Sequence, residues 1–457
     1  MTDAPSLNDY LFSVQGHTPY RDVLPQVQRH MTLEYAELFS RQELTKEDTF
    51  LIKKNIEDYL IASAISCDET KNLTELTDRL YKDMVLYSFL TDYLSPEKVE
   101  ELGLEEINVN SWECIYLLTS KKGKMRLEEQ FLSPQHAADV MTRMLRHSGM
   151  VIDDAKPVAL GHIAKNVRIA VLKTPVLDEE IGISCSIRIV SFSKLTRHNL
   201  VKEYETIPEE ALSLLEHCIL HGASICVSGA TGSGKTGTAG YLLSVASRDT
   251  TNRVLTVEEG SREFDLIRRD ETGRVVNDVV HLLTRPSENE KQNISQDYLL
   301  ETILRLDPDV IGVGEMRSHE ASTAAEASLT DHTVITTTHC RSAVGTYERM
   351  VTLAKKKSTS DDGTLYKQMV DAFPIIVYQR KLADGSRKAT EIIEGEGYEN
   401  GKIRYRTLWR YVLTDNYSDE TGKNHISGHF ERDQKISDAL RQRLVDCGLS
   451  QSAADQF

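Results

Sequence analysis

The sequence is short of cysteine, of positive charge and of long apolar runs. Seven cysteines stand at positions 67, 114, 185, 218, 226, 340 and 447, an odd number with no Cys-x-x-Cys pair. Scattered thiols of this kind read as reduced and mostly buried, which excludes a disulfide scaffold and a cysteine-built zinc site. No stretch approaches the ~18–20 apolar residues that a membrane-spanning helix needs. The opening MTDAPSLNDYLF has neither the basic nor the apolar segment of a secretory signal, so no signal peptide is expected. Lys and Arg number 54 against 70 Asp and Glu, a net charge of −16. That balance argues against a protein whose main task is to coat nucleic acid, because such binding rests on neutralising phosphates.

What remains is the composition of a globular chain, 40% hydrophobic and 27% charged over 457 residues. At ~150 residues per domain this suggests about three domains, each able to bury a core without staples. Residues 1–94 carry one glycine, Gly16, and apolar residues at helical spacing through 30–39, 50–64 and 76–94. Thr45-Lys-Glu-Asp48 fits a capping box. A helical extension is expected there. Ser95-Pro96 opens a different texture, with strands predicted at 106–109, 114–118, 167–172 and 183–190 and a helix between Pro134 and Gly149. These make 95–190 an α+β domain. The polar segment 191–205 reads as a linker. From 206 to 390 strands and helices alternate, the pattern of an α/β domain with a parallel sheet. Residues 391–457 are expected to hold further strands and a final helix near 437–447. Lys355-Lys356-Lys357 reads as part of an exposed loop.

The chemistry lies in the alternating region. The apolar run 223–228 suits a buried strand, GATGSGKT follows over 229–236, and a helical run occupies 237–248. This is the phosphate-binding loop in the strand–loop–helix context it requires. Gly229, Gly232 and Gly234 let the backbone curl, so that it and Ala230, Thr231 and Ser233 turn amides toward phosphate oxygens at a helix N-terminus. Lys235 would reach the β- and γ-phosphates, and the Thr236 hydroxyl would take one position on Mg²⁺. ATP and Mg²⁺ are the expected ligands. Gly237, in the first helical turn, costs about 1 kcal/mol relative to alanine, and nothing in the sequence explains it. A second apolar strand, 309–313, ends in Gly314-Glu315, making Glu315 the candidate that polarises the attacking water or holds the magnesium shell. Glu258, Glu259 and Glu263 close a third strand. His332 and His339 bracket a fourth. Their spacing of seven puts the rings on opposite faces of a continuous strand, which argues against a shared metal and leaves them as candidate γ-phosphate sensors.

The order of these segments resembles the secretion ATPase superfamily of type II and type IV systems: GATGSGKT (229–236), RVLTVEEGSREFDL (253–266), LRLDPDVIGVGEMR (304–317) and LTDHTVITTTHC (329–340). The Gly-Glu-x-Arg signature is met by Gly314-Glu315-Met316-Arg317. Upstream, LGLEEINVNSWECIYL (102–117) is similar to the family's N-terminal-domain opening. Arg168 and Arg188 fall where the family carries arginines that reach the nucleotide. The resemblance covers about 95–413 and is greatest to the tight-adherence (Flp-type) pilus ATPases, with the conjugation-type ATPases close by. The zinc loop of type II ATPases is absent. Three departures stand out. Glu258-Glu259 replaces Glu-Asp with an extra residue before Glu263, which leaves open which glutamate is catalytic. Asp331 stands where glycine is common, and Cys340-Arg341 follows His339 in place of Ala-Asn. The resemblance implies a RecA-like P-loop ATPase domain after an α+β N-terminal domain, and a homo-hexameric motor. It also implies a place at the cytoplasmic face of the membrane, only peripherally bound, on a polytopic platform protein, with no direct contact to nucleic acid. A nucleic-acid translocase and a non-hydrolysing nucleotide switch are the competing readings.

Overall fold

In the first unit, Met1–Val190, three helices pack through residues spaced three and four apart: α1 (Tyr20–Phe39), α2 (Lys46–Ala62) and α3 (Leu73–Val85). The structure, a computed structural model, describes residues 18–39, 44–146, 148–164, 166–190, 195–260, 262–285 and 292–457. Ile52, Ile56 and Leu60 form the buried stripe of α2 and meet Tyr20, Val27, Met31, Leu76 and Leu80. The predicted capping box is present: Asp48 N–H donates to Thr45 Oγ1 at 3.1 Å, and Thr45 N–H donates back to Asp48 Oδ2 at 2.9 Å. Short helices α4 (Leu90–Tyr93) and α5 (Pro96–Leu102) lead into an antiparallel sheet, with Ser95 capping α5.

That sheet holds β1 (Leu104–Ser111), β2 (Cys114–Thr119), β3 (Gly123–Arg126), β4 (Val158–Ala164), β5 (Val167–Lys173) and β6 (Ile183–Ile189) in the order β3-β2-β1-β6-β5-β4. Helix α6 (Pro134–Arg146) covers its apolar face through Val140, Met141 and Met144. Strand alternation is clean in β6, where Ile183, Cys185, Ile187 and Ile189 are buried and Arg188 is exposed. The two edge strands β3 and β4 escaped the sequence reading because neither alternates clearly. Arg143 of α6 donates to Leu86 O at 3.0 Å and Asp83 O at 2.6 Å, tying the helical extension to the sheet.

The second unit, Ser191–Phe457, is built on a nine-stranded sheet. A π-helical turn (Asn199–Glu203) and α7 (Glu209–Leu220) precede β7 (Ile225–Gly229), α8 (Lys235–Ala246), β8 (Val254–Glu258) and β9 (Val279–Leu283). Next come α9 (Gln296–Ile303), β10 (Val310–Val313), α10 (Glu320–Leu329), β11 (Thr333–Thr338), α11 (Gly345–Ala354), α12 (Asp362–Ala372) and β12 (Ile375–Lys381). The six strands β7 to β12 are parallel. Strands β7, β8, β10 and β11 are buried throughout, as expected of a sheet covered on both faces. Helices α7 and α8 cover one face, α9 to α12 the other. The order β12-β7-β11-β10-β8, with the loop strand inside the sheet and crossover helices on both faces, is the RecA-like α/β core.

Two parts of the sequence reading need revision. Residues 195–205 do not form a free linker. Leu200 and Val201 are buried, and Arg197 pairs with Glu209 and Glu216 of α7. Residues 191–194 lie outside the described residues. Residues 391–457 also do not stand apart: β13 (Arg387–Glu399), β14 (Lys402–Ser418) and β15 (Asn424–Arg432) continue the same sheet antiparallel. Trp409, with Leu440 and Leu444 of α13 (Asp438–Asp446) and Phe457 beyond α14 (Gln451–Ala454), shares one core with α8.

Candidate active site

Parallel strands bring their carboxyl ends to one edge of the sheet, where ligands of open α/β folds bind. The loop 229–236 leaves β7 at that edge. Gly229, Gly232 and Gly234 have φ of +150°, +75° and +92°, conformations a side chain would strain. Ser233 Oγ is fully buried with no hydrogen-bond partner, an orphaned donor of the kind a phosphate oxygen satisfies. Thr236 lies in the first turn of α8. Among the described residues no group of three or more His, Cys, Asp or Glu could hold a metal. Any Mg²⁺ here would rest on Thr236, substrate phosphates and water, a donor set that suits this ion. A Cβ on Gly237 would stand 2.4 Å from Leu195 Cδ1, so an alanine there would make that leucine side chain turn aside.

Strand β11 lies between β7 and β10, and its C-terminal residue neighbour His339 bridges them. Lys235, 7% exposed, donates from Nζ to Ala230 O at 3.0 Å and lies 3.3 Å from His339 Nδ1. On the ring's other side, Nε2 is 3.2 Å from Glu315 Oε1. Nδ1 also lies 3.2 Å from Gly229 O. A neutral imidazole with its proton on Nε2 accepts from Lys235 and donates to Glu315, and leaves the Gly229 carbonyl without a donor from this ring. Burial and the Lys235 charge lower the pKa of His339, outweighing Glu315, so the neutral form is held. Glu315 Oε2 accepts from Arg317 Nη2 at 2.8 Å, and Arg317 Nη1 reaches Glu259 Oε2 at 2.7 Å. These bonds, Glu315 first, raise the pKa of Arg317 further. Lys235, His339, Glu315, Arg317 and Glu259 thus form one unbroken polar chain.

The segment carrying Glu315 is fixed by residues that the sequence reading did not single out. Gln296 Nε2 donates to Glu315 O at 3.1 Å, Met316 N–H donates to Thr337 O at 2.8 Å, and Arg317 N–H donates to the Glu320 carboxylate. The lysine run belongs to the same support. Lys356 reaches Arg317 O at 3.3 Å, while Lys357 pairs with Asp297 at 2.7 Å and Glu301 at 2.9 Å. Only Glu320, three residues from Arg317, left a local pattern. The other partners come from distant strands and helices.

The acidic residues separate by environment. Glu258 is fully buried. Its carboxylate accepts from Thr256 Oγ1 at 2.9 Å, from Phe264 N–H at 2.7 Å and from Glu263 N–H. His281 Nδ1 lies 2.7 Å from Thr256 Oγ1 and 3.4 Å from Glu258. Glu258 is therefore saturated with donors and organises the turn that follows β8. Glu259 is exposed and meets Arg317, and the charge of Glu263 also acts on Arg317. Glu258→Ala is expected to lower stability by on the order of 3 kcal/mol, because it strands the buried Phe264 amide and the partly buried Glu263 amide. Glu259→Ala is expected to change it by less than ~1 kcal/mol, as its ion pair is solvated. Thermal unfolding of the two variants checks this.

His332 is not brought to the loop. It precedes β11, and its Nδ1 lies 3.2 Å from Ala327 O at the amino end of that strand. The six residues of β11 separate it from His339 by roughly 20 Å, so of the two histidines only His339 reaches the loop. Arg168 and Arg188 sit in the first unit, directly opposite one another on β5 and β6.

A family model described as Type II/IV secretion system protein matches residues 153–448, more than half of the chain. Competence protein ComGA of Bacillus subtilis (strain 168) is 29% identical over 255 residues, covering 56% of this chain and 61% of that protein. Type II secretion system protein E of Dickeya dadantii (strain 3937) is 29% identical over 261 residues, covering 54% of this chain and 47% of that protein. The chain therefore spans 47–61% of the length of these two relatives. Among solved structures, the Legionella pneumophila ATPase DotB aligns at 18% identity with a TM-score of 0.49, covering 80% of this chain and 86% of that one. With the match across the phosphate loop, Glu315 and His339, the chain belongs to the type II/IV secretion system protein family.

Proposed function

We propose that this protein is an ATP-hydrolysing motor subunit that powers pilus assembly or protein secretion, with a conjugation-type secretion ATPase as the neighbouring reading. The observation that carries it is the polar chain from Lys235 through His339 to Glu315 at the carboxyl edge of a RecA-like sheet. In this reading the 229–236 amides, Ser233 and Lys235 hold the phosphates. Glu315 accepts the proton of the attacking water or orients it. His339 keeps the Glu315 carboxylate aimed, and Arg317 holds its second oxygen. Of the acidic-box residues, Glu259 and Glu263 remain the ones able to act on the reaction, while Glu258 positions them. Mg²⁺, when bound at Thr236, supplies charge neutralisation of the phosphates.

Arg168 and Arg188 are the proposed phosphate contacts of the first unit. They face each other in register, and Arg188 is also in register with Glu106 of β1. Family resemblance supports a homo-hexamer docked on a cytoplasmic part of a membrane platform protein. No helix among the described residues is long and apolar enough to cross a membrane. The test is steady-state phosphate release with Mg-ATP across a protein dilution series. Activity per subunit that rises with concentration supports an oligomeric ATPase. A clear stimulation by DNA would favour the translocase reading, and nucleotide binding without turnover, even with membranes added, would favour the switch.

The neutral His339 gives a pH prediction. Its pKa is lowered in the folded protein, so protonation sets in only below the ordinary imidazole value of ~6.5. A cationic ring can no longer accept from Lys235. The acid limb of kcat/KM, which reports the free enzyme, is expected to begin below that pH and to move lower in His339→Gln, where the carboxylates alone remain to titrate. Rate profiles of the two proteins check it.

A further inference from the structure

Strand β13 opens with two cations that point in opposite directions, as consecutive strand residues do. Arg387 Nε donates to Gly232 O at 2.9 Å, and its Cδ lies 3.2 Å from where a Cβ on Gly234 would stand. Lys388, 7% exposed, donates instead to Tyr204 O at 3.1 Å and Glu205 O at 2.9 Å. On the preceding strand Gln379 is in register with Gly229 and donates to Thr238 Oγ1 at 2.9 Å. The β12–β13 hairpin thus grips the phosphate loop at its base and at its crest.

We propose that Arg387 is a positioning residue for nucleotide binding, fixing the Gly232–Ser233 peptide with its carbonyl held toward β13. Gly232 has φ +75° and nothing within 4 Å of its would-be Cβ. A glycine so free gives the following peptide little resistance to turning over. A carbonyl turned toward the phosphate site would set a negative dipole against the anion. The charge-assisted bond from Arg387 opposes that turn. The other end of the same peptide, Ser233 N–H, donates to Ala230 O at 3.3 Å, the oxygen that also receives Lys235 Nζ. Arg387 therefore acts on Lys235 through the loop backbone. The inference rests on the nucleotide-binding reading above and adds a residue that none of the loop's own motif contains.

The experiment compares full-length wild type, Arg387→Gln, Arg387→Lys and Lys235→Ala, with Mg-ADP for binding and Mg-ATP for turnover. Arg387→Gln is expected to raise Kd and KM together by about tenfold or more, the worth of one charge-assisted hydrogen bond. Its kcat at saturation is expected within about twofold of wild type, and Arg387→Lys recovers part of the affinity. Wild-type Kd and KM in Arg387→Gln overturn the inference, and so does a fall in kcat at unchanged Kd. An affinity loss that disappears at a temperature where circular dichroism shows both proteins fully folded also overturns it, marking a merely structural role. If Lys235→Ala binds as wild type does, the nucleotide reading itself fails and this inference with it. If Lys235→Ala loses binding while Arg387→Gln keeps it, the inference fails alone.

Discussion

Glu315→Gln is expected to slow ATP hydrolysis at saturating nucleotide by roughly 10²–10⁴-fold, the worth of a positioned general base, with nucleotide affinity within a few-fold of wild type. The substitution keeps the side-chain shape and the backbone anchor from Gln296, but removes the charge that faces Arg317 at 2.8 Å and His339 at 3.2 Å. Lys235 and the loop amides are untouched, so binding survives. A loss confined to kcat is the mark of an interaction made in the transition state. Single-turnover phosphate release at saturating Mg-ATP, beside equilibrium binding of Mg-ADP, reads the two quantities separately. Near-normal turnover would remove Glu315 from the reaction and leave Glu259 or Glu263 as the base. Those two share Arg317 with it, so the triple arrangement makes the outcome decisive.

How much of this site could be read in advance depends on the range of the forces involved. The phosphate loop is legible because its requirements are local: glycines for positive φ, a buried strand before it and a helix after. Glu315 is legible because it follows the apolar run VIGV and His339 because it follows the β-branched run TVITTT, and parallel strands end at one edge. Their contact with each other was not legible, since it depends on β11 standing between β7 and β10. The two histidines show the limit well. Spacing alone placed them at either end of one strand, but only the direction of β11 relative to β7 tells that His339 joins the loop and His332 lies at the far edge.

The acidic residues illustrate a second limit. Glu258 and Glu259 are neighbours in sequence, and no property of the pair ranks them. Strand alternation separates them: Glu258 points into the core and is capped by the amides of Glu263 and Phe264, while Glu259 faces solvent and Arg317. At the level of the fold, the parallel strands were visible as apolar runs, whereas β15 was hidden. It lies at the edge of the sheet, has no fully buried residue, and so lacks the hydrophobic signature that burial imposes. The segment 195–205 misled for the opposite reason. Its few apolar residues, Leu200 and Val201, bury deeply within a π-helical turn whose period matches neither helix nor strand templates.

Lys235→Ala is expected to abolish measurable hydrolysis and to weaken nucleotide binding by about a hundredfold or more, since each charge-assisted bond to a phosphate is worth roughly 1.5–3 kcal/mol. The side chain is almost fully enclosed, yet in the free protein its ammonium spends its donors on Ala230 O and on His339. Its removal therefore costs the free protein little, and thermal unfolding without nucleotide is expected to stay close to wild type. What changes is the balance at His339. Lys235 is the second-largest cause of its lowered pKa after burial, so truncation lets that pKa rise toward the ordinary imidazole value. The variant should fail in affinity through the missing cation, which distinguishes it from Glu315→Gln, where affinity survives. Binding of Mg-ADP and phosphate release over a protein dilution series read that loss, and an NMR titration of the His339 ring reads the upward shift. Hydrolysis at the wild-type rate in this variant would place the reaction outside the 229–236 loop and end the proposed mechanism.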